Sequence, residues 1–323
     1  NNIDRATERK IEIAYMRDDF NRCEGDCLKK VREIGGFIEI YKQNIFNGIK
    51  DEKLNFRVAV AAPSEFVFEI VKDVLTKAGC IVSKISEKTD SGFHHRPDVR
   101  EFSKAVSRGG FDLGVSIEDT CEKMLLVDER GRIVTEDMFI ALISIVLFNT
   151  IKGATMVVPV SASHVVEKIA EKYNGKVIRT KASHRDVMEK LLGREAAAGL
   201  MEQFTMHFDS IAGLMKLMEF MQANSIKLSG LIDMIPEIHM HRQQVEVRWD
   251  AKGKVIRKLI QEHAGGKVET LDGVKLYHNN GWVLVLPDGE RPVLSVMGEG
   301  ISTEFAEELT NIYVRKVREI SRG

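Results

Sequence analysis

Residues 56–85, FRVAVAAPSEFVFEIVKDVLTKAGCIVSKI, carry the pattern that decides the fold. FRVAVAAP is a short β-rich run that stops at Pro63, SEFVFEIVKDVLTKAG places apolar residues at helical steps, and CIVSKI returns to strand composition. The same grammar recurs at 154–181, as ATMVVPV, SASHVVEKIAEKYNG and KVIRTK, so the chain holds an internal repeat of strand–helix–strand units. Gly79 and Gly175 are expected to close the two helices as C-terminal caps. Between the repeats, DLGVSI (112–117) and KMLLVDE (123–129) read as strands around an acidic loop, and TEDMFIALISIVLFNT (135–150) as a helix. Strands alternating with helices predict an α/β fold of sheets covered by helices on both faces.

Upstream, residues 5–50 read mostly as helix, with Ile11, Ala14, Tyr15, Val31, Ile34, Ile38, Tyr41 and Ile45 at three- and four-residue steps and a break at Gly35–Gly36. Downstream, KGKVIRKLIQEH is a helix, VETLDGVKLYHNNGWVLVLP a hairpin turning at NNG, RPVLSVMGEG a strand, and STEFAEELTNIYVRKVREI a closing helix capped by Ser302 or Thr303. The predicted architecture is two sequential α/β domains with mixed sheets, at 53–135 and 136–245, after a helical lead-in at 1–52 and before a small α+β domain at 246–323.

Bulk properties exclude several function classes. Lys and Arg number 47 against 48 Asp and Glu, so no overall field draws the chain to nucleic acid or anionic lipid. The longest apolar run, MFIALISIVLF at 138–148, is too short to cross a bilayer and reads as a buried helix. Cys23, Cys27, Cys80 and Cys121 form no CxxC pair and fit reduced thiols in a cytoplasmic protein.

In DLGVSIEDTCEKMLLVDERG (112–131), Glu118, Thr120 and Glu122 alternate along the loop, so their side chains project to one side. This stretch resembles the metal loop of the α-D-phosphohexomutase superfamily, DGDGDR followed by a strand and an acidic turn. TKASH (180–184) is similar to its substrate-contacting TKVG segment, and GWVLVLPDGERPVLSVMGEG (281–300) to its terminal phosphate loop, RPSGTEP, between two strands. The resemblance runs over almost the whole chain. It is nearest to the mutase-like C-terminal region of fusions that begin with a mannose-1-phosphate guanylyltransferase, through ERKIEIAYMRDDFNRC, FTMHFDSIAGLMKLMEFM, WDAKGKVIRKLIQEH and WVLVLPDGERP. It implies mutase-type domains around a cleft, a hexose phosphate ligand, a Mg²⁺ cofactor and, because the chain starts without Met, a first mutase domain and a nucleotidyltransferase upstream. A homo-oligomer is compatible with it.

The resemblance also marks where this chain departs. Glu118, Thr120 and Glu122 stand at the three metal-binding Asp positions and Lys123 at the Arg. Glu extends the carboxylate by a methylene and Thr supplies a neutral hydroxyl, a poor set for octahedral Mg²⁺, so the ion is expected to be weakly held or absent. The phosphate loop becomes Leu286–Pro292, in which Asp288 and Glu290 repel a phosphate dianion, Gly289 keeps the turn, and Arg291 is either a relocated phosphate contact or a turn residue in a salt bridge. Lys181 is the surviving substrate contact in TKASH. The sugar motif GExSGH has no counterpart in 193–210, where Glu195 and His207 are too far apart.

Other features carry competing readings. Ser163 and Ser183 echo the family's nucleophilic TASHNP loop, but Ser161 or Ser163 is expected to cap the helix that His164 opens. Glu237, His239 and His241 share one strand register as half of a transition-metal site; His94, His95 and Arg96 lie in a polar loop; Cys23 and Cys27 share a helix face. Met201, Met206, Met215, Met218 and Met221 read as packing or an interface. Together these predict a catalytically degenerate phosphohexomutase region serving hexose-phosphate binding, regulation or assembly. The alternative is an active phosphomannomutase or phosphoglucomutase interconverting hexose 6-phosphate and hexose 1-phosphate with a serine upstream of residue 1.

Overall fold

The structure is a computed structural model that describes residues 5–19, 22–30, 32, 35–49, 53–85, 98–193 and 197–322. Val31, Ile34, His94, His95, Arg96 and Glu195 lie outside the described residues. Residues 1–48 and 49–323 form two compact units. In the first, the mostly helical stretch expected at 5–50 holds two helices, α1 (Arg5–Met16) and α2 (Phe37–Asn47), with a 3-10 turn at Gly25–Cys27 between them. Gly36 precedes α2 at φ 79°, a left-handed conformation that glycine adopts without strain, so the GG pair starts a helix.

The second unit contains three sheets. β1 (Arg57–Ala61), α3 (Glu65–Lys77) and β2 (Ile81–Lys84) form the first strand–helix–strand unit, with β1 and β2 parallel. Ser64 caps α3 by accepting the Val67 N–H at 3.3 Å, and Gly79 closes it at φ 92°. α4 (Val99–Arg108) leads into β3 (Leu113–Ile117), which pairs parallel with β1 and antiparallel with β4 (Met124–Asp128). The sheet order is β2-β1-β3-β4, the mixed topology expected. α5 (Glu136–Thr150) follows, buried on every side from Ile140 to Phe148, which explains its unbroken apolar run.

The repeat appears as β5 (Thr155–Pro159), α6 (Val165–Lys172) and β6 (Lys176–Thr180), again parallel. Here the cap differs from expectation. Asn174 takes the left-handed turn at φ 54°, while Gly175 lets Phe148 approach so closely that a Cβ would sit 2.4 Å from its ring. α7 (His184–Leu191) and α8 (Leu200–Phe208) pack on this small sheet, with α9 (Ser210–Ala223) against α8 and α10 (Leu228–Asp233) against α5. Gln203 of α8 completes the sheet's edge. Its side chain accepts the Val157 N–H at 2.8 Å and donates to the Val157 carbonyl at 2.5 Å, imitating a neighbouring strand.

The last sheet is antiparallel in the order β7-β11-β10-β9-β8. Its strands are β7 (Met240–Glu246), β8 (Val268–Glu269), β9 (Val274–His278), β10 (Gly281–Pro287) and β11 (Val293–Gly300). α11 (Trp249–Glu262) and α12 (Thr303–Arg322) pack on it around Val255, Leu259, Val285, Val296 and Tyr313. β7 pairs with β11 along its length, so this sheet begins at Met240, ahead of the boundary expected at 246. The NNG hairpin forms as expected, with His278 opposite Gly281, and Ser302 caps α12 by accepting the Phe305 N–H at 3.2 Å.

A buried polar junction joins the β5–α6 loop to this last sheet. Glu299, 9% exposed on β11, accepts the Ser163 hydroxyl, the His164 N–H at 3.0 Å and the Trp282 indole N–H. Lys275, 1% exposed on β9, donates to the Val160 carbonyl at 2.9 Å, and its ammonium lies 3.7 Å from the Trp282 ring centre. Arg179 ties down the loop carbonyls of Pro159, Ala162 and Ser163 while pairing with Glu167. Ser163 also accepts the Val165 N–H at 3.0 Å, while the N-cap position of α6 is His164, whose side chain makes no capping bond.

Replacing Glu299 by Ala strands three donors in a dry junction, which is expected to cost about 3–5 kcal/mol in urea unfolding followed by Trp fluorescence. Glu290→Ala in the exposed β10–β11 turn should leave the midpoint nearly unchanged. His164, stacked on Tyr277 at 5.8 Å, is pushed down to about 3 from 6.5 by burial and then by the charges of Lys275 and Arg179. The unfolded chain takes this proton near pH 6.5 and the folded one only near 3, so stability is expected to fall as pH drops through that window. His164→Phe should flatten this acid limb of the stability curve.

Candidate functional site

The cleft lies where the β3–β4 loop meets the second α/β repeat. It has a volume of about 380 Å³ and is lined by Glu118, Glu122 and Lys123 from that loop, Glu136 at the start of α5, Ser161 after β5 and His184 at the start of α7. Each arrives through local structure: Thr135 caps α5 by accepting the Met138 N–H at 3.4 Å, and Ser183 caps α7 by accepting the Asp186 N–H at 3.1 Å. The floor is apolar, built from Phe139, Met206 and neighbouring side chains.

The β3–β4 loop is held from two directions. Its own turn closes through the Cys121 N–H to the Glu118 carbonyl at 2.9 Å, with Cys121 at φ 56°. From the other side, Ser210 at the start of α9 donates its N–H and hydroxyl to the Cys121 carbonyl at 2.9 and 2.7 Å. The acidic turn after β4 is also structural. Asp128, fully buried, accepts the N–H groups of Arg130 and Arg132 and pairs with the Arg132 guanidinium at 2.7 Å, while Glu129 binds the Ser229 hydroxyl.

The donor set does not fit a magnesium ion held by three loop carboxylates. Glu118 and Glu122 face the cleft, but Thr120 is exposed and its hydroxyl turns back to accept the Glu122 N–H at 3.4 Å. Among the described residues, no three Asp, Glu, His or Cys side chains converge on one point. Glu118 and Glu122 are the two loop carboxylates that would hold such an ion, with water or a phosphate oxygen filling the rest of its shell.

Three carboxylates and one ammonium give the cleft an acid excess. His184 faces Lys123, Glu136 and Glu122, and partial burial followed by the Lys123 charge holds its imidazole below the ordinary value. His207 packs edge-on against Phe139 at 6.1 Å, and burial pushes it down to about 4. Its Nδ1 is buried and has no hydrogen-bond partner among the described residues. Both shifts favour the neutral imidazole over the charged one.

The remaining sequence candidates lie elsewhere. Lys181 is exposed and does not line the cleft. Ser163 is buried in the Glu299 junction and Ser183 caps α7, so each hydroxyl has a structural partner. His239 contacts Thr303 and Glu237, and His241 contacts Gln243, with no third ligand converging among the described residues. Met206, Met215, Met218 and Met221 are core residues, whereas Met201 is 61% exposed. Glu136 and His184 escaped the sequence reading because each looks like an ordinary first-turn helix residue; only the packing of α5 and α7 around one opening brings them together.

In the β10–β11 turn, Asp288 takes up the donors of its own loop. Its carboxylate accepts the N–H groups of Glu290 and Arg291 at 2.9 Å each and pairs with the Arg291 guanidinium at 2.7 Å. These donors hold its pKa below the usual carboxylate range. Lys252 braces the turn from beneath through the carbonyls of Asp288 and Arg291, at 2.7 and 2.5 Å. The turn is thus an anion nest that carries its own anion.

Residues 135–238 match the family model of phosphoglucomutase/phosphomannomutase, alpha/beta/alpha domain III. A phosphoglucomutase/phosphomannomutase of Thermococcus kodakarensis is 25% identical over 99% of this chain and 74% of its own length. A phosphoglucosamine mutase of Methanococcus maripaludis is 26% identical over 95% of this chain and 73% of its own. Among solved structures, a phosphoglucomutase/phosphomannomutase family protein of Burkholderia thailandensis superposes with a TM-score of 0.77 at 16% identity, covering 99% of this chain and 71% of that one. The chain therefore carries the fold of the phosphohexomutase structures along almost its whole length, and its residues 135–238 match domain III of phosphoglucomutase/phosphomannomutase.

Removing the internal anion tests the nest. Asp288→Gly frees two backbone N–H groups and Arg291, and inorganic phosphate is expected to bind about tenfold more tightly than to the parent chain by calorimetry. Equal affinity would show that Asp288 does not fill an anion site.

Proposed function

We propose that this chain is a phosphohexomutase module that binds a hexose phosphate in the cleft between its α/β units and has given up the metal-dependent phosphoryl transfer of its relatives. The observation that carries this reading is the Asp288 carboxylate seated in the terminal phosphate loop, where it accepts two backbone N–H groups and the Arg291 guanidinium. A phosphate dianion would have to displace a bound carboxylate there. The inward turn of Thr120 supports the same reading at the metal loop.

The cleft chemistry suits a sugar. Glu118, Glu122 and Glu136 accept hydroxyl protons, Ser161 both donates and accepts, and the apolar floor with Phe139 receives the C–H face of a hexose ring. Lys123 is the ammonium available to a phosphate group, and neutral His184 beside it takes a further hydroxyl. The acid excess favours a hexose that carries an ammonium, in keeping with the phosphoglucosamine mutases among the relatives.

A second reading, a working mutase, is favoured by the relatives named as mutases that match nearly the full chain. Calorimetry with glucosamine 6-phosphate, mannose 6-phosphate and glucose 6-phosphate, beside a mutase assay with Mg²⁺ and a hexose 1,6-bisphosphate activator on the full-length protein, separates the two. Saturable binding without turnover is expected, tightest for glucosamine 6-phosphate and weakened about tenfold or more by Lys123→Ala. Metal-dependent turnover that the Glu118→Ala, Glu122→Ala double variant abolishes would establish the mutase reading instead.

A further inference from the structure

On the last sheet, away from the cleft, three polar side chains from three elements meet at one point. The Tyr313 hydroxyl on α12 lies 2.7 Å from His263 Nε2 at the end of α11 and 3.2 Å from His278 Nε2 at the end of β9. The proton positions follow from the partners. His263 Nδ1 is 2.9 Å from the Leu259 carbonyl, which can only accept, so Nδ1 carries the proton and Nε2 presents a lone pair. Tyr313 donates its single proton to that lone pair, and His278 Nε2–H donates to the phenol oxygen.

We propose that this cluster is a binding site for a late first-row divalent cation such as zinc or copper, held by His263 Nε2, His278 Nε2 and Tyr313 Oη with water completing the shell. The separation of 3.2 Å already matches the roughly 3.3 Å between ligands of a tetrahedral ion with bonds of about 2.0 Å, and the 2.7 Å hydrogen bond has to open by about 0.6 Å when the ion replaces the proton between its partners. The Leu259 carbonyl supplies the contact that fixes a ligating imidazole's tautomer and ring orientation. The phenol oxygen is seated by the fully packed Tyr313 ring, 2% exposed, while exposed His278 gives the ion an entry path. Lys316 is the opposing cation, 5.3 Å from the Tyr313 ring centre, and it is paired with Glu262 at 3.4 Å.

The proton balance is definite. On binding, Tyr313 releases its proton to solvent, and His278 moves its ring proton from Nε2 to Nδ1 so that Nε2 becomes a ligand. One proton leaves per ion. The bound ion links the end of α11, the end of β9 and α12, so it staples the C-terminal sheet to both of its helices.

The test is titration of the chelator-treated chain with Zn²⁺ alone, and with Cu²⁺ as an optical probe. One equivalent of Zn²⁺ is expected to bind, release one proton and raise the melting temperature, and Cu²⁺ should give a phenolate charge-transfer band. His263→Gln and His278→Gln are each expected to weaken binding by at least about tenfold. Tyr313→Phe preserves the ring packing but should remove the charge-transfer band and the proton release. His241→Gln on β7, separated from β9 by two strands, and His239→Gln just before β7 should change nothing. Absence of saturable binding, or binding retained in both His263→Gln and His278→Gln, would overturn the proposal; His278 is exposed, so its variant reads the site without threatening the fold.

Discussion

One carboxylate, Glu299, holds the greatest number of consequences. It lies almost buried on β11 and accepts donors from Ser163, His164 and Trp282, so the loop after β5 keeps its course only while that carboxylate stays in place. Ser161, two residues before Ser163, reaches the cleft from the same loop. Lys275 reinforces the arrangement from β9, and its buried amine is pushed down to about 7, chiefly by desolvation and then by Arg179. A buried charge with all its partners present is stable chiefly because losing any one of them leaves the rest unsatisfied. The geometry of one wall of the cleft is thereby set from a sheet more than a hundred residues further along the chain.

The same demand for satisfied polar groups explains the loops that matter to function. Asp288 fills its own anion nest, Thr120 folds its hydroxyl onto the loop backbone, and Asp128 and Glu129 are spent on Arg132 and Ser229. Each of these polar side chains has found a partner within the chain. A side chain already bonded to its own protein must be released before it can bind a ligand.

Much of the fold was legible in the residues. The strand–helix–strand unit at 56–85, its repeat at 154–181, the hairpin at Asn279–Gly281 and the buried α5 all follow from hydrophobic period and turn chemistry, which are local properties. Where the reading missed, a tertiary contact overrode a local preference. Gly175 was expected to be the left-handed cap, but Asn174 takes that turn and Gly175 is required by the Phe148 ring. Met240–Glu246 was assigned to the second α/β domain by position along the chain, yet it is an edge strand of the last sheet, a pairing that periodicity alone does not choose. Glu118, Glu122 and Lys123 were visible as candidates because they share one loop, whereas Glu136 and His184 become site residues only when α5 and α7 pack around the same opening.

The sequence by itself determined the strand–helix–strand unit, its repeat, the buried α5 and the hairpin and closing helix of the last sheet, because these depend on residues close together in the chain. Tertiary structure alone decided that Glu299 and Lys275 brace the β5–α6 loop, and that His263, His278 and Tyr313 meet on one side of the last sheet. Hydrogen bonds and ion pairs act over a few ångströms, and only the folded backbone brings groups so far apart in sequence within that range.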